Sequence, residues 1–109
     1  MTDATFQTLW NAALEADDRE AYVAEYETDP GLKNYKIAQR KEKLEKIWSV
    51  AHTPIKDMIT QVGLNQSSFG RHFCVPLRTV QGWCSSAEKA SRGCPDYFRL
   101  AVARHFNLL

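Results

Sequence analysis

The chain has 109 residues, 44% of them hydrophobic and 25% charged, which is the size and balance of one small soluble globular domain with room for an added segment. No apolar run approaches the roughly 18 residues that a bilayer span needs, and the start "MTDATFQTLW" has neither a basic nor an apolar signal region, so a cytoplasmic protein is expected rather than a membrane or secreted one. The net charge of +1 conceals an asymmetry, because residues 1–31 carry eight acids and one base whereas residues 32–109 carry five acids and thirteen bases. This division suggests an acidic appendage on a basic domain, and a basic domain is compatible with nucleic acid. Two differently charged solvated faces give the same numbers. The three cysteines are an odd number without an export signal, which reads as reduced thiols.

Phe6, Leu9, Trp10, Ala13 and Leu14 recur at i, i+3, i+4, i+7 and i+8, the stripe of a helix buried on one side. Asp17 or Asp18 caps a second helix with Tyr22, Val23 and Tyr26 on one face, and Pro30 and Gly31 break it. The stretch "LKNYKIAQRKEKLEKIWSVAH" places Ile37, Leu44, Ile47, Trp48 and Ala51 at helical spacing, with Lys33, Lys36, Arg40, Lys41, Lys43 and Lys46 over the remaining surface. Those bases either solvate the helix or form a basic face near phosphates. Thr53 suits an N-cap and Pro54 the first position of a helix that turns Ile55, Met58, Ile59 and Val62 inward, and Gly63 suits its left-handed end. Asn65 caps the next helix, anchored by Phe69 and Phe73. Cys74 and Val75 form a break, and Pro76 opens a helix with Val80 and Trp83 on its apolar side. After a polar loop, Pro95 opens a last helix with Phe98, Ala101, Val102, His105, Phe106 and Leu109 along one side. Nothing alternates with period two and nothing repeats, so the expected fold is all-α. Acidic N-terminal helices and a basic connecting helix are expected over residues 1–52, and a compact helical domain over residues 53–109.

The most informative stretch is "LNQSSFGRHFCVPLRTVQGW", residues 64–83, which reads as two short helices about three residues apart. Gly70 follows Phe69 where a second helix can cross closely. This layout resembles the helix-turn-helix of the phage-repressor type, the family of Cro and the xenobiotic-response-element regulators. Leu64-Asn65-Gln66 is similar to the start of that family's second helix, and Phe69-Gly70 stands in for its Leu-Ala pair. Phe73 matches its closing apolar residue, Val75 the apolar residue of its turn, Thr79-Val80 its Thr/Ser followed by Val/Ile, and Trp83 the aromatic that ends its recognition helix. The resemblance covers residues 54–85, and the Pro-led last helix is similar to that family's final one. One position departs: Cys74 stands where the family usually has glycine, and a positive φ at a non-glycine residue costs about 1 kcal/mol or slightly more.

The resemblance implies a sequence-specific, double-stranded-DNA-binding transcriptional regulator, a repressor or activator of a bacterium, phage or mobile element. Its recognition helix, about residues 76–85, would lie in the major groove. With Val80 and Trp83 inward, Leu77, Arg78, Gln81, Gly82 and Ser85 turn outward. Arginine bonds guanine bidentately, glutamine bonds adenine, and Leu77 offers apolar contact to a thymine methyl. Base contacts are therefore expected from Leu77, Arg78, Gln81 and Ser85. Backbone contacts are expected from Gln66, Arg71 and Thr79, and from Lys89 and Arg92 in the loop that follows. Each has an ordinary alternative as a solvent-exposed, helix-start or packed side chain.

Cys74, Cys84 and Cys94 lie ten apart rather than in the close pairs of structural zinc sites, so no metal is expected and Cys74 reads as a small apolar core residue. His52, His72 and His105 are scattered, and His105 falls on or near an apolar face. No Ser–His–Asp spacing, phosphate loop or paired-carboxylate site appears, so no enzyme activity, cofactor or small-molecule substrate is expected. The expected partner is duplex DNA, with a homodimer reading two half-sites about one helical turn apart. The competing expectation is a protein-interaction module or adaptor that keeps the fold without reading DNA. The acidic segment and the few polar groups on the recognition face motivate it. A third expectation is that the acidic segment covers the basic face.

Overall fold

A computed structural model describes residues 3–85 and 93–109, and among these every regular element is a helix, as the all-α expectation required. The chain divides into two compact units, Met1–His52 with Leu109, and Thr53–Leu108.

The first unit contains α1 (Asp3–Glu15), α2 (Arg19–Tyr26), a 3-10 turn (Pro30–Leu32) and α3 (Ile37–Ala51). Both α1 and α2 pack along α3. Their apolar stripes meet as Leu9, Trp10, Ala13, Tyr22, Val23, Leu32, Leu44, Ile47, Val50 and Ala51, all buried. Asp18 is the cap of α2, its carboxylate accepting from the Ala21 N–H at 3.3 Å. The Tyr22 hydroxyl donates to the Leu9 carbonyl at 2.8 Å, and burial pushes its phenol well above the ordinary value. The last carbonyls of a helix lack partners within it. At the end of α1 they are taken up by α3: the Trp48 indole N–H donates to Ala16 O at 2.9 Å, and His52 Nε2 donates to Ala13 O at 2.7 Å. Four residues apart on one face, these two rings stack with centroids 4.2 Å apart.

Three sequence expectations change in this unit. Ile37 is 73% exposed instead of joining the apolar stripe; it is the first residue of α3, while Leu32 of the preceding turn is buried. Arg40 is not a free surface base. Its Nε donates to Tyr35 O at 2.8 Å, its Nη1 to Glu27 O at 3.4 Å and its Nη2 to Lys33 O at 3.2 Å, so it ties down the connection between α2 and α3. Residues 1–31 are not an appendage, since α1 and α2 supply half of the core that α3 completes. Counted by unit, residues 1–52 carry ten acids and seven bases and residues 53–109 carry three acids and seven bases. The asymmetry keeps its sign and shrinks.

The second unit contains α4 (Ile55–Gln61), α5 (Gln66–Phe73), α6 (Leu77–Cys84) and α7 (Asp96–His105). Its buried residues include Ile55, Met58, Ile59, Phe69, Val80, Cys84, Cys94, Val102 and Ala103. Rings close one side of it: Phe98 lies with its centroid 6.2 Å from Phe69, 5.6 Å from Phe73 and 5.4 Å from Trp83. Among the described residues, three of these four helices start from a proline in the same way. Pro54, Pro76 and Pro95 are the N-caps, extended at ψ 153°, 138° and 141°, and their carbonyls accept the first helical N–H groups. Each helix thus begins one residue later than predicted, and the cap of α4 is Pro54 rather than Thr53. Proline loses nothing in that position because it has no N–H to satisfy. Gly63, at φ 78°, ends α4 as its sequence position suggested.

The inward line of α7 also differs from expectation. Ala101 and His105 are exposed, and Arg99, Val102 and Ala103 are the buried positions, with Phe98 and Phe106 half-buried. Arg99 is 2% exposed, an interior charge that sequence reading missed. Its Nη1 donates to Thr53 O at 2.8 Å and its Nη2 to Asp96 Oδ1 at 2.7 Å. The Asp96–Arg99 spacing of three residues was the one signal available.

Candidate nucleic-acid interface

The candidate site is built from α5, a three-residue connection (Cys74, Val75, Pro76) and α6. A reciprocal cap starts α5: Asn65 Oδ1 accepts from the Ser68 N–H at 2.8 Å, and Ser68 Oγ accepts from the Asn65 N–H at 3.0 Å. The helix ends on Cys74, which stands in the left-handed region at φ 57°, ψ 38°. The chain then folds back so that the Val75 N–H donates to Gly70 O at 2.8 Å, closing a Schellman-type end. This geometry brings the Val75 carbonyl oxygen to 2.6 Å from where a Cβ on Gly70 would stand, with Val80 Cγ2 at 3.6 Å. Only glycine fits there, so the departure at Cys74 leaves the left-handed turn intact. Cys74 itself is exposed, not a core residue. The thiols buried in this unit are Cys84 and Cys94. Burial pushes both upward, Cys94 to about 12, so they stay neutral and apolar in character.

Val80 (0% exposed) and Cys84 (6%) define the inward direction of α6, with Trp83 half-buried against Phe98. Cys84 was not foreseen there, although it follows Val80 by four residues. At about 100° per residue, Arg78, Gly82 and Ser85 lie opposite that direction, with Thr79 and Gln81 on either flank. All five are exposed, and Leu77 is 43% exposed at the edge of the face. Ser85 sits at the far end of α6, where its hydroxyl donates to Gly82 O at 2.9 Å and so serves the helix C-terminus. Gln66 is half-buried at the first position of α5. Arg71 is exposed one turn further on, its Nη1 donating to Ser67 Oγ at 3.1 Å. Lys89 and Arg92 lie outside the described residues. Arg78 thus stands on the outward face with Thr79 and Gln81 on its two flanks, Leu77 lies partly exposed near the Val80–Cys84 side, and Ser85 stands apart at the far end of the helix.

No carboxylate occurs in sequence between Asp57 and Glu88, a span that carries Arg71 and Arg78. Neither helix of the pair therefore contributes a carboxylate that would repel an anion. Among the described residues no group of three or more histidine, cysteine, aspartate or glutamate side chains is placed to hold a metal ion, and no helix is long and apolar enough to cross a membrane. No family model matches this chain, and neither a curated protein nor a solved structure matches it.

Proposed function

We propose that this chain is a sequence-specific duplex-DNA-binding regulator of the helix-turn-helix kind, acting in the cytoplasm with α6 in the major groove. The observation that carries the reading is the α5–α6 pair itself. Val75 closes over Gly70, Val80 and Cys84 hold α6 inward, and Arg78 on the opposite face and Gln81 on its flank are exposed on a helix pair that carries no carboxylate of its own. In such a pair the first residues of the second helix meet base edges. Arg78 is the guanine reader, Gln81 the adenine reader and Leu77 the thymine-methyl contact. Thr79, Arg71 and Gln66 set the register through phosphates. The protein would regulate by occupying an operator, as a dimer on two half-sites. Selection from a random duplex library tests this directly. An enriched, inverted-repeat sequence is the expected outcome, and a pool that never enriches would sink the reading.

A second reading keeps the fold as a protein-interaction module, favoured by the outward face, whose centre at Gly82 has no side chain and whose edge carries the exposed apolar Leu77. Salt separates the two. Binding through several phosphates weakens steeply as salt rises, because counterions are released. A flat response with a protein ligand would favour the module.

A further inference from the structure

Two histidines that are far apart in sequence meet on the surface of the second unit, and nothing in the proposed DNA reading uses them. His72 of α5 and His105 of α7 are both exposed, with Nε2 atoms 2.9 Å apart and ring centroids 5.0 Å apart. The rings are held in place by phenylalanines. Phe73 lies 4.8 Å from His72 and 5.5 Å from His105, and Phe106 lies 5.4 Å from His72 and 4.9 Å from His105. Two aimed imidazole nitrogens at this distance hold either one shared proton or one cation. Metal–imidazole bonds are about 2.0–2.1 Å long, so a separation of 2.9 Å subtends an angle of about 90° at the metal. That is the angle between adjacent ligands in square-planar or octahedral geometry. A tetrahedral ion needs the nitrogens about 3.3 Å apart.

We propose that His72 and His105 form a two-imidazole site for a borderline divalent cation, Ni2+ or Cu2+ ahead of Zn2+, which clamps α5 to α7. Imidazole nitrogen selects these ions over Mg2+ and Ca2+, which take oxygen. No third side-chain ligand stands with the pair among the described residues, so water fills the remaining positions. The arginines adjacent in sequence, Arg71 and Arg104, oppose a cation and set the affinity at the weak end, although Arg71 turns its guanidinium onto Ser67.

The test is thermal unfolding of the full chain, untagged and stripped with chelator, with NiCl2 or CuCl2 added. At a free metal concentration about tenfold above Kd, the midpoint should rise by roughly 5 °C. His72→Gln and His105→Gln should each abolish the rise, and Cys74→Ser should keep it, since the exposed thiol is the alternative ligand. Electron paramagnetic resonance of the Cu2+ complex should show two nitrogen ligands, and one fewer in either histidine variant. The proposal is overturned by an unchanged midpoint, by a rise that survives both histidine variants, or by a rise that Cys74→Ser removes. None of these readouts depends on DNA, so their failure leaves the regulator reading to its own test.

Discussion

The carbonyl oxygen of Val75 lies 2.6 Å from the point where a Cβ on Gly70 would stand, while the Val75 N–H donates to the Gly70 carbonyl at 2.8 Å. The peptide groups on both sides of Val75 bear on Gly70, and this contact sets how closely the connection passes over α5. The obstructing atom is backbone, which cannot swing aside like the end of a flexible side chain. Gly70→Ala should therefore destabilise the chain by about 1–3 kcal/mol, the usual cost of overpacking. Urea unfolding should show a lower midpoint with an unchanged slope. A midpoint at the wild-type value would mean that the connection can lift off α5 freely.

Cys74 takes φ 57° with its side chain in solvent, so it gains no burial to offset its backbone strain. The left-handed region costs an L-residue about 1–2 kcal/mol, and the added chain entropy of glycine returns about 0.4–1 kcal/mol of any gain. Cys74→Gly should stabilise by up to about 1 kcal/mol, and Cys74→Val, branched at Cβ, should destabilise. The order Gly, Cys, Val in thermal midpoints is the expected result, and glycine falling below cysteine would contradict the strained turn.

If α6 reads DNA, the two arginines of the pair should separate by role. Arg78→Ala should cost about 1–3 kcal/mol and relax preference at one base pair. Arg71→Ala should weaken all sequences alike and reduce the slope of log affinity against log salt by about 1. Equal losses on specific and random duplexes for both variants would remove Arg78 from the base-reading role.

These positions show what a single sequence exposes. Asn65, Gly63 and the prolines before α4, α6 and α7 were legible because caps and breakers act within a few residues. The outward face of α6 was legible once Val80 was set inward, and Gly70 because a small residue beside Phe69 suits a close crossing. The phase of α7 was not, since Phe98, Ala101, Val102 and His105 fit one helical stripe and Arg99, Val102, Ala103 and Phe106 another. Only packing chooses between them. The His72–His105 pair and the Arg99–Thr53 hydrogen bond span 33 and 46 residues, and no local pattern marks either.

The three thiols should differ in chemistry as they differ in place. In the native chain near pH 8, a disulfide reagent should modify Cys74 quickly and Cys84 and Cys94 slowly, with all three reacting at similar rates in denaturant. Cys94, pushed to about 12 by burial from a reference of 9.0, also ties stability to alkali. Its folded value lies above its unfolded one, so its contribution is fully present below about pH 9 and is lost as pH rises towards 12. Cys94→Ala should flatten much of the decline that begins near pH 9, the remainder of that early part belonging to Cys84, raised from the same reference, and the later part to Tyr22. Three native thiols reacting at one rate would contradict the burial.

Arg99 joins the start of α4 to the start of α7, with one guanidinium nitrogen on the Thr53 carbonyl and the other on the Asp96 carboxylate. Asp96 is 57% exposed, so water screens its ion pair and the carboxylate alone is worth little. The Thr53 carbonyl depends more on the arginine, and leaving such a group without its donor costs about 1–3 kcal/mol. Arg99→Met should therefore destabilise by about that amount, and Asp96→Asn by less than about 1 kcal/mol. Arg99→Lys should fail to restore the wild type, because a single ammonium cannot span two acceptors that the planar fork meets with separate nitrogens. Unfolding midpoints for the three variants test the order Met lowest, then Lys, then Asp96→Asn nearest wild type. If Asp96→Asn were as damaging as Arg99→Met, the ion pair rather than the Thr53 carbonyl would be what holds the two helix starts together.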